Sequence, residues 1–141
     1  MSWDLEIFID GACKGNPGEA AIGVLITQNG RTLKEIAKAI GKATNNIAEY
    51  TALIYALQEA LILKAQRIQI FTDSELLASQ VAGRYQVKNE KLKSLFDQYQ
   101  HLKKGFAQVD VVHVLREKNK DADRLASQVF KKQTKMAASL F

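Results

Sequence analysis

Four acids stand where the chain changes from one kind of segment to another: Asp10 in "IFIDGA", Glu49 in "NNIAEY", Asp73 in "IFTDSE" and Asp123 in "KDADRLA". Carboxylates alone offer hard oxygen donors, which suit Mg2+ or Mn2+ rather than zinc. Each acid also has an ordinary structural explanation. Asp10 before Gly11 suits a turn. Asn46 and Glu49 have capping-box spacing. Asp73 with Ser74 suits a helix N-cap, and Asp123, like Asp121, suits the positive end of a helix dipole. One at a time, these readings suffice. Four carboxylates at converging ends would repel one another, however, and a bound cation is what offsets that cost. A basic chain that gathers acids around a hard ion suits phosphodiester chemistry.

The elements that must carry these acids can be read from periodicity and turn residues. "LEIFIDGA" alternates apolar and polar residues and predicts a strand ending at Asp10, followed by a turn at "NPGEA". "AAIGVLITQNGRTLKEIAKAI" predicts two strands joined at Asn29-Gly30. "NNIAEYTALIYALQEALILKA" predicts a long helix with Glu49 in its first turn. "RIQIFTD" predicts a buried strand ending at Asp73, and "SELLASQVAG" a short helix stopped by Gly83. "NEKLKSLFDQYQHLKKG" predicts an amphipathic helix stopped by Gly105, "QVDVVHVLR" a strand, and "NKDADRLASQVFKK" a last helix. The order β-β-β-α-β-α-α-β-α implies a mixed sheet with helices packed on it. In such sheets, sites collect where strands end and helices begin.

Composition narrows the class. The 141 residues, 47% hydrophobic and 25% charged, suit one globular domain with a real core. With no repeat or linker, residues 1–132 are expected to form the domain and 133–141 a C-terminal tail. No apolar run reaches membrane-spanning length and no signal-peptide pattern opens the chain, so a cytoplasmic protein without a membrane partner is expected. Cys13 is the only cysteine, which excludes an internal disulfide and a thiolate metal cage. The net charge of +5 is a mild pull toward polyanions and no more.

The segments "IDGACKGNPG", "TNNIAEYTAL", "FTDSELLASQV" and "NKDADRLA" resemble, in order and spacing, type 1 ribonuclease H, over roughly Leu5 to Phe130. The resemblance implies an α/β ribonuclease H-like fold, a five-stranded mixed sheet of order 3-2-1-4-5 flanked by helices. It implies hydrolysis of the RNA strand of RNA–DNA hybrids, leaving 3′-hydroxyl and 5′-phosphate ends. The catalytic and metal-ligating set carried over is Asp10, Glu49, Asp73 and Asp123, the "ADxLA" pattern favouring Asp123 over Asp121. Two Mg2+ ions, replaceable by Mn2+, are implied. Asp10 is shared between them, with Asp123 on one and with Glu49 and Asp73 on the other. Two rival readings stand beside this one. The chain could be a different nuclease on the same fold, cutting RNA–DNA junctions or double-stranded RNA, or a non-catalytic hybrid-binding module, which would have no reason to keep the repulsive acids.

The same resemblance implies substrate contacts. Gly11, Ala12, Cys13, Gly15 and Asn16 would face the RNA minor groove, although a glycine-rich hairpin turn explains them equally well. Lys42, Thr44 and Asn89 would form a pocket for a DNA-strand phosphate, and Asn45 and Asn46 would touch the minor groove; Thr44 to Asn46 also suit a helix cap. Tyr85 would stack on a deoxyribose or simply pack. Phosphate contacts set register rather than read bases, so no strong sequence preference is expected. Two departures from the family stand out. The basic helix and loop of many bacterial members is missing between Gly83 and "YQVKN", and the loop before the last helix, "LREKNKDAD", has no histidine. Arg116, Glu117 or Lys118 could replace it, or the step could run without such help. His113 falls in a strand pattern and His101 on a solvated helix. The terminal "SLF" weakly resembles sliding-clamp docking peptides, with a frayed or self-packed tail as the alternative. A monomer is expected to suffice.

Overall fold

The computed structural model describes residues 2–139, with side chains as far as Met136. The first part of the chain is a meander: β1 (Leu5–Gly15), β2 (Gly18–Gln28) and β3 (Arg31–Ala43) pair antiparallel in turn. The β2–β3 turn falls at Asn29-Gly30, as the sequence predicts. Both residues have positive φ, 51° and 79°, the turn geometry that matches the twist of flanking strands. Helix α1 (Asn45–Ile62) returns the chain to β4 (Arg67–Thr72), which runs parallel to β1. Helices α2 (Glu75–Val81) and α3 (Glu90–Lys103) lead to β5 (Gln108–His113), parallel to β4. A short 3₁₀ turn over Arg116–Lys118 precedes α4 (Lys120–Ser139). The sheet order is β3-β2-β1-β4-β5, as the resemblance implies.

Strand alternation divides the sheet between two helical layers. Ile7 and Ile9 of β1, Ile22, Val24 and Ile26 of β2, and Ile68 and Ile70 of β4 share one core with Leu53 and Leu57 of α1. Gly23 is out of phase with that set and meets α4 on the opposite face. A Cβ at Gly23 would overlap the Ala122 carbonyl oxygen, so only glycine lets α4 lie this close to β2. Gly11 does the same for α1: a Cβ there would overlap the backbone of Ala48 and Glu49.

Several boundaries differ from the sequence expectation: β3 ends at Ala43 rather than Ile40, β5 at His113 rather than Arg116, and three others bear on the site or the helix ends. Asp10 does not end β1, which pairs with β2 as far as Gly15. What ends is the parallel partner, whose last pair is Ile9↔Thr72; Asp10 comes to the sheet rim because β4 is shorter, though its side chain is buried there. Helix α1 stops at Ile62 rather than Ala65, because Lys64 adopts φ 60°. Helix α4 runs through the expected tail, past Lys132 to Ser139. Leu140 and Phe141 of the terminal "SLF" lie outside the described residues.

Candidate active site

Neighbouring strands deliver the first two carboxylates. Asp10 and Asp73 each follow directly on the last β1–β4 pair, Ile9↔Thr72, and so emerge side by side at the sheet rim. Ser74, not Asp73, caps α2, accepting from the Leu77 N–H at 3.1 Å. Glu49 comes from α1. The cap there is Thr44, which accepts from the Ile47 N–H, so Glu49 lies beyond the first turn and the capping-box reading fails. Instead Glu49 Oε1 accepts from the Gly11 N–H at 3.1 Å, across the close approach that Gly11 permits. The fourth acid, Asp123, is carried by the first turn of α4.

The four acids share one cleft of about 390 Å³, together with Gly11, Ala12, Cys13, Asn45 and Arg116. Within it, ligand oxygens of Asp10, Glu49 and Asp73 lie within 4.8 Å of one another. Asp123 stands at the edge of this trio, its Oδ1 3.7 Å from Arg116 Nη2. Electrostatics follow from the crowding. Asp10 is 5% exposed; burial first, then the Asp73 charge, pushes its carboxyl up to about 7. Glu49 is pushed well above the usual carboxylate range by burial and then by Asp10, against the Gly11 hydrogen bond. Burial also raises Asp73, opposed by the Arg116 charge and a hydrogen bond from Asn119. Glu49 Oε2 is buried with no hydrogen-bond partner. A crowded carboxylate trio with an orphaned, inward oxygen fits a hard divalent cation.

A second cleft, about 640 Å³, is lined by Asn16, Thr44, Asn46, Ile47, Asn89, Glu90, Lys91 and Leu92. Thr44 and Asn89 thus meet as expected, both also capping helices. Lys42 is not among the lining: it is exposed on β3 opposite Glu19. The β1–β2 hairpin is tied to the start of α1. Asn16 Oδ1 accepts from the Asn45 N–H at 3.0 Å, and the Cys13 thiol donates to Asn45 Oδ1 at 3.0 Å. Gly15 occupies the hairpin bend with φ 84°. Tyr85, which follows α2, is 56% exposed. His113 ends β5 and His101 lies on α3, both outside the acidic cleft.

Of the three replacements for the loop histidine, Arg116 reaches the acidic cleft; Glu117 and Lys118 are not among its lining residues. The sequence reading missed Asn119. Its side chain is 1% exposed, and Nδ2 donates to the Ile9 carbonyl at 2.8 Å, beside Asp10. Its signal was available: an asparagine immediately before a helix is a favoured N-cap, and its carbonyl accepts from the Asp123 N–H.

With this geometry in hand, the comparisons with known proteins agree. The chain matches the family described as "Reverse transcriptase-like" over residues 8–129. It is 38% identical over 132 residues to the bifunctional protein Rv2228c of Mycobacterium tuberculosis, covering 92% of this chain and 36% of that protein. It is 38% identical over 125 residues to ribonuclease HI of Halobacterium salinarum, covering 88% of this chain and 63% of that one. The chain therefore spans about a third of the first relative's length and under two thirds of the second's. Among solved structures, RNase H1 of Halobacterium salinarum superposes with a TM-score of 0.88 at 35% identity, over 91% of this chain and 98% of that one. LC11-RNase H1, in complex with RNA/DNA hybrid, superposes with a TM-score of 0.87 at 39% identity, over 92% and 99%.

Proposed function

The chain belongs to the type 1 ribonuclease H family, and on that premise we propose that it is an endonuclease hydrolysing the RNA strand of RNA–DNA hybrids, leaving 3′-hydroxyl and 5′-phosphate ends. One observation carries the reading: Asp10, Glu49 and Asp73 converge within 4.8 Å, with Glu49 Oε2 buried and unpartnered. A buried carboxylate oxygen without a donor calls for a cation. Asp10, Glu49 and Asp73 would hold one divalent ion and Asp10 with Asp123 a second, Mg2+ with Mn2+ able to replace it. When bound, such a pair supplies Lewis-acid stabilisation to the attacking and leaving oxygens of an in-line phosphoryl displacement.

The chain's own residues do the remainder. The Gly11 N–H holds one oxygen of Glu49 and leaves the other, buried, for a cation. Asn119 ties the backbone before Asp10 to the start of α4, which fixes Asp123 relative to Asp10. Arg116, 3.7 Å from Asp123, orders that carboxylate and offers a guanidinium to a phosphate entering the cleft. Gly11, Ala12, Cys13 and Asn45 line the wall of the acidic cleft that would meet RNA 2′-hydroxyls, with Gly15 and Asn16 following on the hairpin. The second cleft, with Thr44, Asn46, Asn89 and Lys91, would take the DNA strand, and Tyr85 offers a ring to a deoxyribose. Lys42 contributes charge only. The same reading puts the protein in the cytoplasm, acting as a monomer.

The test is a cleavage assay on four matched substrates: RNA–DNA hybrid, double-stranded RNA, double-stranded DNA, and a duplex with a single junction. Mg2+-dependent cutting confined to the RNA strand of the hybrid is expected, and chelation should stop it. Cutting of double-stranded RNA at the same rate, or cutting in chelator, would overturn the assignment.

A further inference from the structure

Charge is unevenly distributed along α4. Its acids, Asp121 and Asp123, lie in the first turn. From Arg124 to Ser139 no acid follows, while Lys131, Lys132 and Lys135 do, all three exposed. Arg124 is paired with Glu35 and Asp121. Among the described residues, none of the three lysines has an ion-pair partner, and each is a free cation on the outer half of the helix. Lysines near a helix C-terminus complement its dipole. That effect fades within the last turn, however, and Lys131 and Lys132 stand about two turns before Ser139.

The position of this run matters as much as its charge. Helix α4 starts at the acidic cleft with Asp123 and travels alongside β1. Phe130 meets the end of that strand: Lys14 Nζ sits 5.1 Å from the Phe130 ring centroid, an attraction that fastens the β1–β2 hairpin to the helix. Between Gly11 and Gln28, the part of the hairpin beyond the acidic cleft, the one acid is Glu19, paired in register with Lys14. Residues 131–139 then extend the helix about 13 Å beyond Phe130, at 1.5 Å per residue. The lysines therefore project from the same end of the molecule as the hairpin wall of the cleft.

We propose that Lys131, Lys132 and Lys135 form a second nucleic-acid contact surface, an arm that grips the phosphate backbone of a hybrid beyond the stretch held in the cleft. This rests on the hybrid reading above. Three ammonium groups on a helix recognise a polyanion as point charges and read no bases. Their contribution is affinity that depends on salt and on duplex length, because only a duplex longer than the cleft reaches them.

The test compares the full chain with Lys131→Gln/Lys132→Gln/Lys135→Gln. KM and kcat are measured with Mg2+ on a short hybrid that fills only the cleft and on a long hybrid, at about 50 to 200 mM salt. Fluorescence anisotropy of the long hybrid is recorded in parallel without divalent ions. The variant should keep kcat and its short-hybrid KM within about twofold, as expected for exposed positions outside the cleft. On the long hybrid KM should rise several-fold, and the slope of log affinity against log salt should fall by about 0.9 for each lysine in contact. An unchanged salt slope on the long hybrid, or an equal loss on short and long hybrids, would overturn the arm. Should the parent bind hybrid with a lysine-dependent slope yet never cut it, the catalytic reading falls and the arm stands.

Discussion

Burial and the neighbouring Asp73 charge together push the Asp10 carboxyl up to about 7, and that cost is tolerable only because the same carboxylate lies within shared-ligand distance of Glu49 and Asp73. Replacing Asp10 by Asn removes the charge and keeps the shape. Cleavage should fall at least about a thousandfold, on the order of 4 kcal/mol of barrier. Without divalent ions the variant should be the more stable protein, by about 1 kcal/mol or roughly 3 °C of melting temperature. Single-turnover cleavage and a thermal melt in chelator measure both; parent-like cleavage would remove Asp10 from the chemistry. Arg116 behaves differently, since its side chain is 81% exposed and its ion pair with Asp123 contributes little to folding. Arg116→Ala should leave the melting temperature within about 1 °C while lowering kcat roughly tenfold, because the lost guanidinium served the cleft rather than the core. A shifted melt with unchanged kcat would reverse that division. Both positions were open to a reading of residue types, Asp10 as a lone acid beside a glycine and Arg116 as one of three candidates. Only the fold distinguishes Arg116 from Glu117 and Lys118, because the 3₁₀ turn decides which side chain faces the acids.

Helix ends show where local signals suffice and where they do not. Gly83 stops α2 as the sequence predicts: its φ is 82°, and the N–H groups of Gly83 and Arg84 return to the carbonyls of Gln80 and Ser79. Helix α1 closes with the same pair of bonds, Lys64 to Leu61 and Ala65 to Ala60, but the left-handed residue is a lysine, φ 60°. With no glycine to mark it, the sequence carries the helix three residues too far. Lys64→Gly should therefore stabilise the protein by about 1 kcal/mol, seen as a higher urea midpoint with an unchanged m-value. The β1 boundary was misread for a related reason: strand length depends on which partner pairs, and β1 has two partners of different reach. The alternation that separates the two helical layers was legible, but the close approach of α4 at Gly23 was not, since it depends on a helix far along the chain. Gly23→Ala tests that contact. The added methyl must push α4 away from β2, at about 2 to 3 kcal/mol, and moves Asp123 with it. Stability and kcat should fall together there, whereas Lys64→Gly should leave kcat alone.

For the whole molecule, the acidic cleft ties stability, pH and metal into one relation. Asp10 titrates at about 7, and Glu49 and Asp73 are raised as well, whereas an unfolded carboxyl titrates near ~4. Between those values the native state holds more protons than the unfolded one, so stability must fall as pH rises. The penalty is absent below about 4 and grows as the acids ionise, Asp10 through about 7 and Glu49 and Asp73 above the ordinary carboxylate range. Asp4 acts in the opposite sense: the N–H groups of Arg67 and Gln66 hold its carboxyl below the usual range, so its contribution is lost as pH falls. The parent's own melting curve therefore mixes the two, and the difference between parent and Asp10→Asn isolates the cleft. In chelator that difference, variant minus parent, should widen from pH 4.5 to 7.5. A divalent ion must displace the protons that Asp10 and Glu49 retain, so binding releases protons and strengthens as pH rises. Mg2+ should accordingly raise the parent's melting temperature little at pH 5 and by several degrees at pH 8, and should barely move Asp10→Asn at either. A Mg2+ shift independent of pH, or equal in both proteins, would mean that the ion binds elsewhere and that the crowding of these acids has another cause.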